Sequence, residues 1–281
     1  MVAETMSETT RRHESSNPPA AARPSTVYGP VVSWRYGRSL GIDPIVETST
    51  CSFSCIYCQL GQIQRVTAER RVFVPTAGVE ADLAAVNWNE VDVVAISGSG
   101  EPTLAANLDE IIAAIERAAS RPVLILTNAT LFHLPEVRRQ VAGAGIIECK
   151  LDAPTDELLR RINRPAPGIT LARIVEGIRA LKAEFAGRLT LQVMLLPANV
   201  GRIEEWAALI QSIGPAEVHL NTPRRPYPLE WYLESRGDHE SRQYSGPKRT
   251  LKGITPEQAA WTEKILRERT GVELVSVYHD R

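Results

Sequence analysis

From about residue 45 onward, short apolar or alternating runs take turns with segments of helical period. The β-rich runs cover residues 45–50, 91–97, 123–128, 146–152, 188–195 and 216–221, with 272–278 as a final strand. Between them, Asn107 with Glu110 predicts a capping box that opens a helix through Ala119. Residues 171–185 place Ile174, Ile178 and Leu181 on one face of another helix. Thr255-Pro256-Glu257-Gln258 supplies an N-cap, a proline at the first helical position and a reciprocating Gln for a helix through Arg269. Such alternation predicts βαβ units on a parallel sheet. Six units point to an α/β fold built as an incomplete (β/α) barrel, with a doubly wound open sheet as the alternative.

Side chains along a strand alternate between its two faces. In 146–152, Glu148, Lys150 and Asp152 share one face, opposite Ile147, Cys149 and Leu151. In the next strand Thr190, Gln192 and Met194 oppose Leu189, Leu191, Val193 and Leu195, and in the one after it Glu217, His219 and Asn221 oppose Val218 and Leu220. A closed barrel is filled by branched apolar layers. Here the apolar faces are expected to meet the helices while the polar faces line a solvated cavity.

Composition narrows the picture. The chain has 281 residues, 43% of them apolar, enough for one large α/β domain or two small ones. Basic and acidic residues nearly cancel, 32 against 33, so net charge offers no support for a nucleic-acid or membrane partner. No apolar run approaches the roughly 18 residues of a membrane span. Residues 1–26, rich in Ala, Pro, Ser, Thr and charge, are expected to form a disordered tail without a signal peptide. A core is expected over 27–225, followed by a C-terminal lid and extension over 226–281. The cytoplasm is the expected compartment, and three of the four cysteines fall within eight residues, a spacing that there points to a metal.

That run is Cys51-Ser-Phe-Ser-Cys55-Ile-Tyr-Cys58. Thiolates at i, i+4 and i+7 can converge from a loop. A [4Fe–4S] cluster normally takes four thiolates; with three, one iron keeps an open position for a small ligand. Zinc would require a fourth Cys or His nearby. The remaining cysteine, Cys149, lies on an apolar strand face and reads as a buried structural thiol, and no His lies between residues 14 and 132.

The CxxxCxΦC arrangement, with Tyr57 as the aromatic Φ, resembles the signature of the radical S-adenosylmethionine (SAM) superfamily. The resemblance implies a [4Fe–4S] cluster on Cys51, Cys55 and Cys58 whose open iron chelates SAM. It further implies reductive cleavage of SAM to a 5′-deoxyadenosyl radical, which abstracts hydrogen from a substrate the sequence does not specify. The implied fold is a partial (β/α)6 TIM-like barrel with a C-terminal extension and the cluster at the mouth of the strands. Ser97-Gly98-Ser99-Gly100-Glu101-Pro102 resembles the "GGE" segment that binds the SAM amino group, with Ser99 where the first glycine is usual. Thr127-Asn128-Ala129 resembles a "TNG" element, and Lys150-Leu151-Asp152 a "KLD" element near the SAM ribose. Gly-Glu-Pro also makes ordinary turns, and Asn or Asp at strand ends also caps helices. Gln192 and Asn221 face the same interior and join the cofactor candidates. Lys150 and His219 are weak catalytic candidates: the lysine is expected to pair with Glu148 or Asp152, the histidine to be an ordinary strand residue.

Residues 29–41, together with Cys58-Gln59-Leu60-Gly61, residues 97–104 and Ile162-Asn163-Arg164-Pro165, resemble the wyosine-synthetase-related group from about residue 28 to at least 225. Members that build the tricyclic tRNA base condense pyruvate with N1-methylguanosine, using a second cluster on three upstream cysteines and a Schiff-base lysine. No cysteine precedes Cys51 here, so that second cluster and its pyruvate chemistry do not carry over. No flavodoxin-like segment is present, and an external electron donor such as flavodoxin or ferredoxin is expected. Residues 222–250 carry Arg224, Arg225, Arg236, Arg242, Lys248 and Arg249 against Glu230, Glu234, Asp238 and Glu240, interleaved with Tyr227, Trp231, Tyr232 and Tyr244. Such a mixture can stack bases and neutralise phosphates, although a solvated lid packed by its own aromatics is the favoured reading. Two further functions stay open: a tRNA-base or nucleotide-modifying radical SAM enzyme, and a non-catalytic Fe–S electron-transfer or sensor protein.

Overall fold

Strands β1 (Val27–Ser33) and β2 (Gly37–Ile42) form an antiparallel hairpin, and β2 opens the parallel sheet by pairing with β5 (Val93–Ile96). The Tyr28 ring lies over Gly41 so closely that any Cβ there would clash, which is why the hairpin needs glycine at this position. The strand expected over 45–50 is absent. Asp43 Oδ1 accepts the N–H groups of Ile45 and Val46 at 2.9 and 3.0 Å, turning the chain, and Val46 sits at φ +64°. Ile45 and Val46 are apolar because their loop is buried, not because it pairs. The chain then makes a minimal ladder of β3 (Thr50–Cys51) with β4 (Arg65–Val66).

The computed structural model describes residues 23–237 and 244–279. Helix α1 (Thr76–Leu83) leads to β5, then α2 (Leu108–Ala118), β6 (Val123–Thr127), α3 (Pro135–Gln140) and β7 (Ile146–Lys150). Helices α4 (Asp156–Ile162) and α5 (Leu171–Glu184) precede β8 (Arg188–Met194), and α6 (Ile203–Ile213) precedes β9 (Glu217–Asn221). Beyond a small ladder of β10 (Tyr227–Pro228) with β11 (Lys248–Arg249), α7 (Pro256–Thr270) and β12 (Glu273–Ser276) close the order. The main sheet runs β1-β2-β5-β6-β7-β8-β9-β12, and every pairing from β2 onward is parallel.

Burial is lopsided. One large apolar cluster joins the helices to one face of the sheet, whereas the other face holds only Val93, Ala95 and Leu124 beside Tyr36. A doubly wound sheet would bury both faces alike. Val31 and Val32 at one sheet edge and Val277 at the other line a common cavity, so the sheet curls around it without closing. The expected partial barrel is therefore present, with β12 as a further parallel strand beside β9.

Local signals fared unevenly. Thr255 and Gln258 form the reciprocal capping box of α7. Asn107 makes no side-chain cap; its Nδ2 donates to Val74 O and Thr76 Oγ1 instead, while Thr76 Oγ1 donates to Glu110. Of the expected tail, residues 1–22 lie outside the described residues, whereas Thr26 is fully buried and donates through N and Oγ1 to Asp82 Oδ2. Among the described residues, no helix is long and apolar enough to cross a membrane.

Candidate functional site

A cavity of about 680 Å³ opens at the C-terminal ends of the strands. It is lined by Cys51, Cys55, Tyr57 and Cys58 of one loop, Gly98, Gly100 and Glu101 of a second, Thr127 and Asn128 after β6, and Lys150, Gln192 and Asn221 of the next three strands. Four residues singled out in the sequence do not line it: Ser99, Pro102, Asp152 and His219.

Backbone bonds dock the cysteine loop onto its neighbours. Thr50 N donates to Ser99 O and Glu101 N donates to Thr50 O, both at 3.0 Å, so the Gly-rich loop is zipped to the residue preceding Cys51. On the other side Ser54 N donates to Asn163 O at 2.9 Å, Ile56 N to Ile162 O at 2.9 Å, and Ala166 N to Ser52 O at 2.8 Å. Polar hydrogens reach two sulfurs: Asn128 Nδ2 is 3.6 Å from Cys51 Sγ, and Asn163 Nδ2 is 3.4 Å from Cys55 Sγ. Burial pushes Cys55 up to about 12, with Asp152 adding to it, and Cys58 up to about 11; Cys51 is raised well above an ordinary thiol by burial and by Glu101. Thiolates here therefore need a cationic centre beside them. Among the described residues, no three His, Cys, Asp or Glu side chains are close enough to share one metal ion. A cluster places each thiolate on its own iron, so the donor set suits a cluster better than a closed zinc site.

Glu101 is 2% exposed and staples this region. Its Oε1 accepts Thr103 N at 3.0 Å, Thr103 Oγ1 at 2.6 Å and Thr127 Oγ1 at 2.6 Å, while Oε2 accepts Asn128 N at 2.7 Å. Burial nevertheless leaves its pKa above the usual carboxylate range. The carboxylate expected to meet the SAM ammonium is thus already an acceptor for two loops, and Gly98 and Gly100 line the cavity beside it. Behind them, Ser99 Oγ donates to the fully buried Asp43, which also accepts Arg236 Nη1 at 2.9 Å. Neither Asp43 nor Arg236 was assigned to the site from sequence; 193 residues separate them. Replacing Arg236 with Met leaves the Asp43 charge buried without its cation. The expected cost is about 3–5 kcal/mol, read as a lower denaturation midpoint.

Asp152 is 1% exposed and gathers donors from several elements. Tyr57 Oη and Asn163 Nδ2 (2.8 Å) donate to Oδ2, and Lys150 Nζ (3.2 Å) and Met194 N (2.7 Å) to Oδ1. Its position is behind the cavity wall, orienting Tyr57. The lysine pairs as expected with Asp152, and its Nζ lies 4.8 Å from the Tyr57 ring centroid. His219 is also enclosed: its nitrogens lie 3.4 Å from Glu148 and 3.5 Å from Glu217, and Trp34 and Tyr36 cover it edge-on. Glu148 pairs with Arg35 and accepts Tyr36 Oη at 2.5 Å. Burial alone would raise Glu148; the Arg35 charge and these hydrogen bonds outweigh it and hold the carboxyl below its usual range. The turn from Trp34 to Tyr36 thus plugs the strand interior, a role its sequence did not suggest.

The segment after β9 packs on the cysteine loop. Arg225 donates to Gln59 Oε1 at 2.7 Å, Arg249 donates to Ile56 O, and Gly61, at φ +77°, lies against the backbone of Glu230 with no room for a Cβ. The Tyr232 and Tyr244 rings meet with centroids 5.2 Å apart and planes tilted by 45°. Arg224 and Arg225 line the cavity, whereas Asp238, Glu240 and Arg242 lie outside the described residues.

Comparison with known proteins places this geometry. A UPF0026 protein of Synechocystis sp. is 49% identical over 219 residues, covering 78% of this chain and 83% of that one. A UPF0026 protein of Methanocaldococcus jannaschii is 33% identical over 215 residues, 74% of this chain and 66% of the relative. A probable GTP 3′,8-cyclase of Metallosphaera sedula is 27% identical over 192 residues, 66% and 56% of the two chains. Among solved structures, Streptococcus suis SuiB bound to SAM aligns with TM-score 0.55 at 14% identity over 82% of this chain, which spans only 48% of SuiB. Archaeal TYW1 aligns with TM-score 0.53 at 16% identity, covering 85% of this chain and 74% of that one. The model of the radical SAM superfamily matches residues 45–210. The chain belongs to the radical SAM superfamily and, by its close relatives, to the UPF0026 proteins.

Proposed function

We propose that this radical SAM enzyme, whose cofactors are a [4Fe–4S] cluster and SAM, holds the cluster on Cys51, Cys55 and Cys58. The observation that carries the assignment is one cavity shared by three half-buried cysteines and the loop from Ser97 to Glu101. When bound, these cofactors supply a 5′-deoxyadenosyl radical from one electron and one SAM. The peptides of Gly98 and Gly100 receive the amino end of SAM, and Tyr57, Thr127, Asn128, Gln192 and Asn221 surround the rest. Ser99, Pro102 and Asp152 act from behind by fixing the loop and Tyr57. Reducing cytoplasm suits such thiol chemistry.

The substrate we favour carries a nucleobase and phosphate, as in the wyosine-related group. Arg224, Arg225 and Trp34 all line the cavity, a combination that neutralises phosphate and packs against a base. The GTP cyclase named among the relatives supports a nucleotide substrate, free or within tRNA. A bare electron carrier or sensor would have no use for a cavity extending beyond its cluster.

Anaerobically reconstituted protein given dithionite and SAM is expected to release 5′-deoxyadenosine and methionine. An intact SAM pool beside a reduced cluster would favour the electron carrier. Salt-sensitive tRNA binding that weakens in R224A/R225A supports the RNA form of the substrate, and indifference to RNA removes it.

A further inference from the structure

We infer that the surface carrying Arg160, Arg161 and Arg164 is where a small acidic one-electron carrier protein docks to reduce the cluster. The inference rests on the cysteine assignment above. Cleaving SAM consumes an electron that no described residue can supply, and tunnelling falls steeply with distance, so the donor must approach the cysteine loop from solvent. The inner side of that loop faces the SAM cavity. Its outer side is bonded, main chain to main chain, to residues 162–166.

This outer segment has three features of a docking site. It is connected: buried Asn163 donates to Cys55 Sγ at 3.4 Å, giving a two-residue path from surface to sulfur. It is positively charged: Arg160, Arg161 and Arg164 are exposed and form no ion pair among the described residues. Of the two carboxylates one helical turn earlier, Asp156 already accepts Leu171 N at 2.8 Å. It is also shaped: a surface groove of about 380 Å³ runs between Arg160 and Arg164 along Pro165, Pro167 and Ile169. Arg164 holds φ +49°, a left-handed backbone, where its N donates to Leu159 O and its own carbonyl accepts Ser54 N. The backbone that receives the cysteine loop is thus the backbone that presents the arginine.

Exposed arginines of one sign raise the encounter rate of an acidic partner and make it salt-dependent, since screening sets in beyond about 8 Å at physiological ionic strength. In the docked complex one electron passes from the carrier's reduced centre to the oxidised cluster, with no bond made or broken. The test uses reconstituted full-length protein and reduced flavodoxin as the probe, with stopped-flow bleaching of the cluster as the readout. The wild-type rate should fall as salt rises. The R160E/R161E/R164E variant should be reduced by flavodoxin at least tenfold more slowly, while the small reductant dithionite reduces both proteins alike and a triple Lys variant keeps most of the rate. Should the triple Glu variant lose its cluster, R160E and R161E singly carry the comparison, since their helical backbone does not touch the cysteine loop. Equal flavodoxin rates across the variants, or a wild-type rate indifferent to salt, overturn the docking surface. A cluster that survives replacement of Cys51, Cys55 and Cys58 by alanine contradicts the cysteine assignment instead.

Discussion

Replacing Gly100 with alanine is expected to destabilise the fold by about 3 kcal/mol or more and to abolish cluster incorporation. Gly100 holds φ +155°, and a Cβ there would fall 1.7 Å from the Thr50 carbonyl oxygen. That oxygen belongs to backbone and cannot swing aside as a flexible side chain would. The clash must separate the two loops, and with them go the bonds from Thr50 N to Ser99 O and from Glu101 N to Thr50 O. Cys51 follows directly in the chain, so its sulfur is displaced with the ladder. Gly168 is the matched control: it also has a positive φ, +81°, but an added Cβ meets nothing within 4 Å. Alanine there should cost only about 1 kcal/mol and leave the iron content unchanged. Chemical denaturation and iron analysis of the two variants separate local strain from loss of the loop contact.

The second large effect concerns Asp152. Removing its carboxylate strands the Tyr57 hydroxyl and the Met194 N–H in the interior, and it takes one acceptor each from the Asn163 amide and the Lys150 ammonium, which keep Cys55 Sγ and Gln192 Oε1. A buried donor without an acceptor costs about 1–3 kcal/mol. The four losses overlap, and Asp152→Ala is expected to cost about 3–5 kcal/mol in total. Asp152→Asn keeps one acceptor oxygen and should cost less. Gln192→Ala gives the contrast, because Gln192 lines the cavity itself. Its stability should stay within about 1 kcal/mol of wild type while SAM affinity drops. Thermal melts beside equilibrium dialysis of SAM would show whether the two residues act by these different routes. Equal loss of SAM affinity in Asp152→Asn at unchanged stability would instead move Asp152 into the SAM contact set.

These contrasts mark how far the sequence could be read. The strands from β5 to β9 were visible because each is an apolar or alternating run, and the motif loops stood out because each follows such a run. Alternation correctly turned Glu148, Lys150 and Gln192 toward the interior. What stayed hidden depends on contacts between distant residues. The β1–β2 hairpin is interrupted by Gly29 and Pro30 and has no clean alternation; it is completed by Tyr28 covering Gly41. Ile45 and Val46 imitate a strand because a buried loop is as apolar as one. Thr76 draws Glu110 away from the box that Asn107 seemed to open. Alternation also faced His219 inward, but could not reveal that Trp34 and Tyr36 would cover it. Asp152 matched a motif near the ribose, yet its carboxylate is occupied by donors from three other parts of the chain.

The central claim is that three thiolates hold the cluster and leave one iron for SAM. Electron paramagnetic resonance of the reduced, anaerobically reconstituted protein, recorded with and without SAM, addresses it most directly. The account predicts a [4Fe–4S] signal that changes shape when SAM is added and disappears when Cys51, Cys55 and Cys58 are all replaced by alanine. A signal unaltered by SAM, or one that persists in the triple-alanine protein, would contradict it.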